Sequence, residues 1–118
     1  MNGSYKLTSQ RYGVGYFAHV SADVDPAPES TVTCSPDVET YMPLNDAGRE
    51  ALRAGALYAL ADAGAYAHVV VTRALGTDVD TPPDALRYAA AHAVWDALGT
   101  EPRRPPWIDA GGIHFPGE

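Results

Sequence analysis

The chain has 118 residues, 46% of them hydrophobic and 19% charged, which is one domain's worth of ordinary globular composition. Its net charge is −7, and Lys6 is the single lysine against seven arginines, so the chain lacks the repeated phosphate contacts that a nonspecific grip on nucleic acid requires. Cys34 is the only cysteine, which excludes an internal disulfide and a thiolate metal cluster. A membrane span needs about 18 apolar residues in a row, and none occurs. The opening "MNGSYKLTSQ" lacks the apolar core of a signal peptide. The expectation is a cytoplasmic protein with no membrane partner.

In chain order, "QRYGVGYFAHV" comes first, two glycines among three aromatics. A strand follows it, not a helix, so the stretch does not read as a phosphate cradle. Its glycines suit a projecting turn. Residues 17–24 alternate, with Ala18, Val20, Ala22 and Val24 on one side and Phe17, His19, Ser21 and Asp23 on the other, the pattern of a half-buried strand. "DPAPES" breaks it. "STVTCS" reads as a second strand forming a hairpin with the first. A helix is expected over 46–63, capped by Asn45 and stopped by Gly64. Its stripe of Leu52, Gly55, Ala56, Ala59 and Ala63 is mostly small, which lets the helix lie close to a sheet.

Residues 65–72 read as a third strand, with Ala67, Val69 and Val71 on one face and Tyr66, His68, Val70 and Thr72 on the other. "TPPDALRYAAAHAVWDAL" then predicts a helix with Thr81 as N-cap and Pro82 at the first helical position. Leu86, Ala90, Ala93, Val94 and Ala97 form its core stripe, and Tyr88, His92 and Trp95 a second, aromatic one. The Pro/Gly-rich tail, 99–118, predicts a short hairpin turning at "DAGG" and packing on a domain of residues 1–98. Strands alternating with helices give an α/β (α+β) two-layer sandwich: a mixed sheet of about four strands, two helices on one face, the other face open.

Three groups of side chains are candidate sites. Phe17, His19, Tyr66 and His68 would line the open sheet face as a ligand surface if their strands adjoin. Tyr88, His92 and Trp95, with Val70, would form an oligomer interface unless Trp107 and Phe115 of the tail cover them. Arg49 and Arg53, one turn apart, would pair with Glu50 or hold a phosphate. No H-x-x-x-H or H-E-x-x-H spacing supplies a metal site. Asp23 and Asp25, near Pro26 and Pro28, read as solvated acids, and neither Ser21 nor Ser35 has a nucleophile-elbow context. No cofactor and no catalytic residue is expected.

The order of elements and several phrases resemble domain IV of elongation factor G and the related ribosomal protection GTPases. That family enters its first strand through Q-S-G-G-R-G-Q-Y-G-H-V. Gln10, Gly13, Gly15, His19 and Val20 fall in register with it, and Phe17 stands for the tyrosine. Pro43 and Gly55 match a proline before the first helix and a glycine within it. Val79, Asp80, Ala85 and Ala89 match V-D-S-S-x-x-A-F-x-x-A before and within the second helix. The resemblance spans roughly residues 5–98, about four-fifths of the chain.

The resemblance implies a left-handed βαβ crossover and a tip that meets the ribosome or another translation component. The tip would comprise Gln10, Arg11, Tyr12, Gly13, Gly15 and Tyr16, with Gly76 and Thr77 beside it. Arg11, Tyr12, Val14 and Tyr16 depart from the family's Ser, Gly, Arg and Gln, and Thr77 stands near the family's second-loop histidine. No G-x-x-x-x-G-K-[ST] occurs, so GTP hydrolysis does not come with the likeness. The leading expectation is a stand-alone, non-enzymatic domain IV-like module. The rivals are a self-assembling interaction module without an RNA role, and a small-ligand binder or enzyme using the open sheet face.

Overall fold

The computed structural model describes residues 1–11, 13–40, 44–77 and 81–117. Tyr12 of the expected tip, and Pro43, Val79 and Asp80 of the resemblance, lie outside the described residues, as do the side chains of Arg11 and Val14. Strands β1 (Asn2–Arg11) and β2 (Val14–Pro26) form a long antiparallel hairpin. After β3 (Thr31–Glu39) come helix α1 (Asp46–Ala63), strand β4 (Ala67–Leu75) and helix α2 (Pro83–Leu98). The tail adds the small hairpin β5 (Trp107–Asp109) and β6 (Gly112–His114). The main sheet has the order β1-β2-β4-β3.

It is a two-layer α/β sandwich with a mixed sheet. Ala18, Val20, Ala22 and Val24 of β2 and Ala67, Val69 and Val71 of β4 are all buried beneath the helices, on the faces their alternation predicts. A register shift opposite Ser21 and Ala22 brings Ala74 to the same side, with Val20 facing Ala74 and Ala22 facing Val71. Helix α1 begins where expected, with the Asn45 carboxamide accepting the Gly48 N–H at 2.7 Å, and ends at Gly64 in the left-handed region.

Four expectations need correction. First, β1 was not foreseen as a strand. Second, β3 does not pair with β2: β4 lies between them, parallel to β3 and antiparallel to β2. Strand β4, with its run of Val69, Val70 and Val71, suits a central position. Strand β3 carries Pro36, which suits an edge. Third, Thr81 does not cap α2. Pro82 is the N-cap residue and Pro83 begins the helix, while the Thr81 hydroxyl bonds to the Phe17 carbonyl instead. Fourth, the small residues of α1 accommodate α2 rather than the sheet: a Cβ on Gly55 would stand 2.1 Å from the Arg87 carbonyl oxygen.

Candidate recognition tip

The β1–β2 hairpin closes through Arg11 opposite Val14, with Gly13 in the turn. Gly13 has φ +74°, the left-handed backbone that tight hairpins require. Below the loop, Gln10 faces Gly15, Ser9 faces Tyr16 and Thr8 faces Phe17. A hydroxyl ties the second loop to this hairpin. Thr81 Oγ1 donates to the Phe17 carbonyl and accepts the Thr77 N–H at 2.7 Å. A Cβ on Gly76 would fall 2.5 Å from Thr81 Cγ2, so glycine permits that close approach.

The result is an open groove of about 540 Å³ lined by Thr8, Ser9, Gln10, Gly15, Tyr16, Phe17 and Thr77. Gln10, Gly15, Tyr16 and Thr77, named from sequence, thus share one surface with Phe17. The two aromatics diverge, however. Tyr16 turns inward, packs against the core and points its hydroxyl towards Gly112 of the tail hairpin. Phe17 faces the open side of the sheet, with Lys6 Nζ 6.0 Å from its ring centroid.

The expected ligand face does not assemble. His19 lies opposite Leu75, whereas His68 lies opposite Asp25, because β2 and β4 run antiparallel. Six residues of strand separate His19 from Asp25, about 20 Å at a rise of ~3.3 Å per residue. His19 Nε2 bonds Ser4 Oγ at 3.1 Å, and Ser4 Oγ lies 3.0 Å from Ser21 Oγ. His68 Nδ1 bonds the Thr31 hydroxyl at the far end, near the exposed Tyr66. Among the described residues no three His, Cys, Asp or Glu side chains converge as metal ligands.

The aromatic stripe of α2 is covered from within. His92 stacks on Tyr5 of β1 at 4.4 Å, and Tyr88 leans on both rings. Trp95 is only 2% exposed, between His92 and Tyr58. Burial pushes the His92 imidazole down to a pKa of about 4. Phe115 of the tail supplies part of the cover, but Trp107 does not: it is 47% exposed and stacks on His114. These contacts pack the stripe within the chain, with Trp95 buried and Tyr88 and His92 half-buried. Val70 stays half-buried on the outer sheet face, opposite Asp23.

Sequence reasoning missed Asp62. It is buried on α1, and its carboxylate accepts the Arg103 and Arg104 N–H groups at 2.8 and 3.0 Å, tying down the tail. The one available signal was an acid adjoining the small-residue stripe of that helix. Asp109 and His114, joined at 2.7 Å across the tail hairpin, were also missed. The His114 hydrogen bond, then the Gly111 N–H, hold the Asp109 carboxyl below the usual range.

Among solved structures, the chain is similar to a protein from Thermus thermophilus, with a TM-score of 0.55 and 20% identity over 80% of this chain. The likeness is one of fold. The matched region is 14% of that protein, so this chain spans a small part of its length. No family model and no curated protein matches the sequence. No described helix is long and apolar enough to cross a membrane.

Proposed function

We propose that this protein is a non-enzymatic recognition module of the elongation factor G domain IV type, acting in the cytoplasm on a component of the translation machinery through its tip. What supports this reading above all is the joint surface made by the hairpin arms and the Thr81-held loop. Two chain segments far apart in sequence meet there, as a contact surface needs and a simple turn does not. Among the described residues the lining is hydroxyl, amide, glycine and aromatic: Thr8, Ser9, Gln10, Gly15, Tyr16, Phe17 and Thr77. Such a surface recognises shape and offers hydrogen bonds or stacking, each stacked base adding ~1–3 kcal/mol. It does not depend on a field of positive charge, which a chain of net charge −7 lacks.

Co-sedimentation with ribosomes at low and high salt tests the proposal. The full chain is expected to pellet with ribosomes at low salt, and a Gln10→Ala, Phe17→Ala double variant to remain largely in the supernatant. Absence of the wild-type chain from the ribosomal pellet at low salt would remove the translation reading.

A further inference from the structure

We propose that the outer edge of β1 is a docking site for an extended, basic peptide segment, which would add to the sheet as a fifth strand. The alternation of the ladder shows which backbone groups are free. Met1 and Val24 exchange both backbone bonds, at 3.0 and 2.7 Å, so the odd-numbered residues of β1 bond to β2. The even-numbered residues point the other way, as the Ser4 N–H does in donating to Asp96 Oδ2 at 2.9 Å. Beyond Ser4, the N–H and C=O groups of Lys6, Thr8 and Gln10 face outward, and no described strand pairs with them.

The two edges of this sheet are not equivalent. Strand β3 carries Pro36 and has an irregular register between Cys34 and Glu39, devices that discourage further pairing. Strand β1 runs ten residues with no proline and no register shift. Beside it lies a slot of about 490 Å³, with Thr8, Ser9 and Gln10 on one wall and Pro106, Trp107 and Ile108 on the other. The β5 wall favours a single strand over a second whole sheet.

Charge selects the occupant. Asp96 stands at the Ser4 end, and Asp109, next in sequence to Ile108 of the opposite wall, carries a further carboxylate that pairs with His114. The half-exposed Trp107 indole offers its face to a cation. Lys6, the lysine of β1, is turned to the outer sheet face over Phe17. Main-chain bonds would supply affinity, and alternate basic side chains selectivity.

The test uses the full chain with two fluorescein-labelled octapeptides, one alternating Thr and Arg, the other Thr and Glu. The Thr-Arg peptide is expected to raise anisotropy and to shift the amide resonances of Lys6, Thr8 and Gln10. Thr8→Pro removes an outward N–H without breaking the β1–β2 ladder, and is expected to weaken binding at least about tenfold. Trp107→Ala, in the separate hairpin, is expected to do likewise, which keeps the proposal testable if the proline variant fails to fold. Trp107 takes no part in the tip groove, so this variant also separates the edge from the tip reading. No binding, equal binding of the Thr-Glu peptide, unmoved β1 amides, or a dimer abolished by Thr8→Pro would each overturn the proposal, the last by making a second copy the occupant.

Discussion

At the scale of single residues, two glycines set how closely α2 approaches its neighbours. A Cβ on Gly3 would lie 2.1 Å from the Ala93 carbonyl oxygen, and one on Gly55 equally close to that of Arg87. Both obstacles are backbone of α2, which cannot swing aside as a side-chain end can. Helix α2 is thus gripped by β1 on one side and α1 on the other. Gly48 is different, since its Cβ would meet the Asn45, Leu86 and Leu44 side chains at 3.3 to 3.5 Å. Alanine at Gly55 gains helix propensity of up to ~1 kcal/mol, but overpacking costs ~1–3 kcal/mol or more. Gly55→Ala is therefore expected to lower the urea midpoint clearly, while Gly48→Ala stays within about 1 kcal/mol of wild type. Equal midpoints for wild type and Gly55→Ala would mean that the two helices do not approach as described.

At the scale of elements, the tail is fastened rather than merely draped. Asp62 accepts two tail N–H groups, the Tyr58 hydroxyl donates to the Arg104 carbonyl at 2.6 Å, and Phe115 is buried with the Arg87 guanidinium 3.9 Å above its ring. Asp62→Ala leaves two donors without their acceptor, at a cost of ~1–3 kcal/mol each when buried. Trypsin should then cleave after Arg103 several-fold faster than in wild type, with Asp62→Asn intermediate because one oxygen remains. Unchanged cleavage would show that Asp62 does not fasten the tail. The tail hairpin itself was legible, because "DAGG" is turn chemistry and Gly112 sits at φ +116°. Its attachment was not legible, since an acid on a helix ordinarily reads as solvated. Strand β1 escaped notice for a related reason: its inward residues, Gly3, Tyr5, Leu7 and Ser9, include only two large apolar groups. Gly3 is small because α2 lies against it, so close packing erased the alternation that would have marked the strand.

At the scale of the whole molecule, both helices, three of the four sheet strands and the two-layer arrangement follow from periodicity and caps, which are local signals. Strand order does not, because inserting β4 between β2 and β3 depends on which strand best tolerates burial on two faces. The same non-local geometry parts His19 from His68 and packs His92 where β1 and α2 meet. Its Nε2 is buried without a hydrogen-bond partner among the described residues, and burial lowers its pKa to about 4 from an ordinary 6.5. Well above pH 6.5 this histidine is neutral in both folded and unfolded chains and contributes no pH dependence. Between 6.5 and about 4 the unfolded chain binds a proton that the folded one refuses, so stability falls as pH falls. The slope is at most about 1.4 kcal/mol per pH unit for a single proton, and smaller here because the ring is only partly buried. Asp109 acts elsewhere: its folded pKa lies below 3.8, so its stabilising share is lost only as pH falls through that lower value. Thermal melts from pH 7 to 4.5 should therefore show a declining Tm in wild type, and a much shallower decline in His92→Phe, which keeps the ring stack but cannot take up the proton. Parallel Tm curves for the two proteins would place the acid sensitivity at another group.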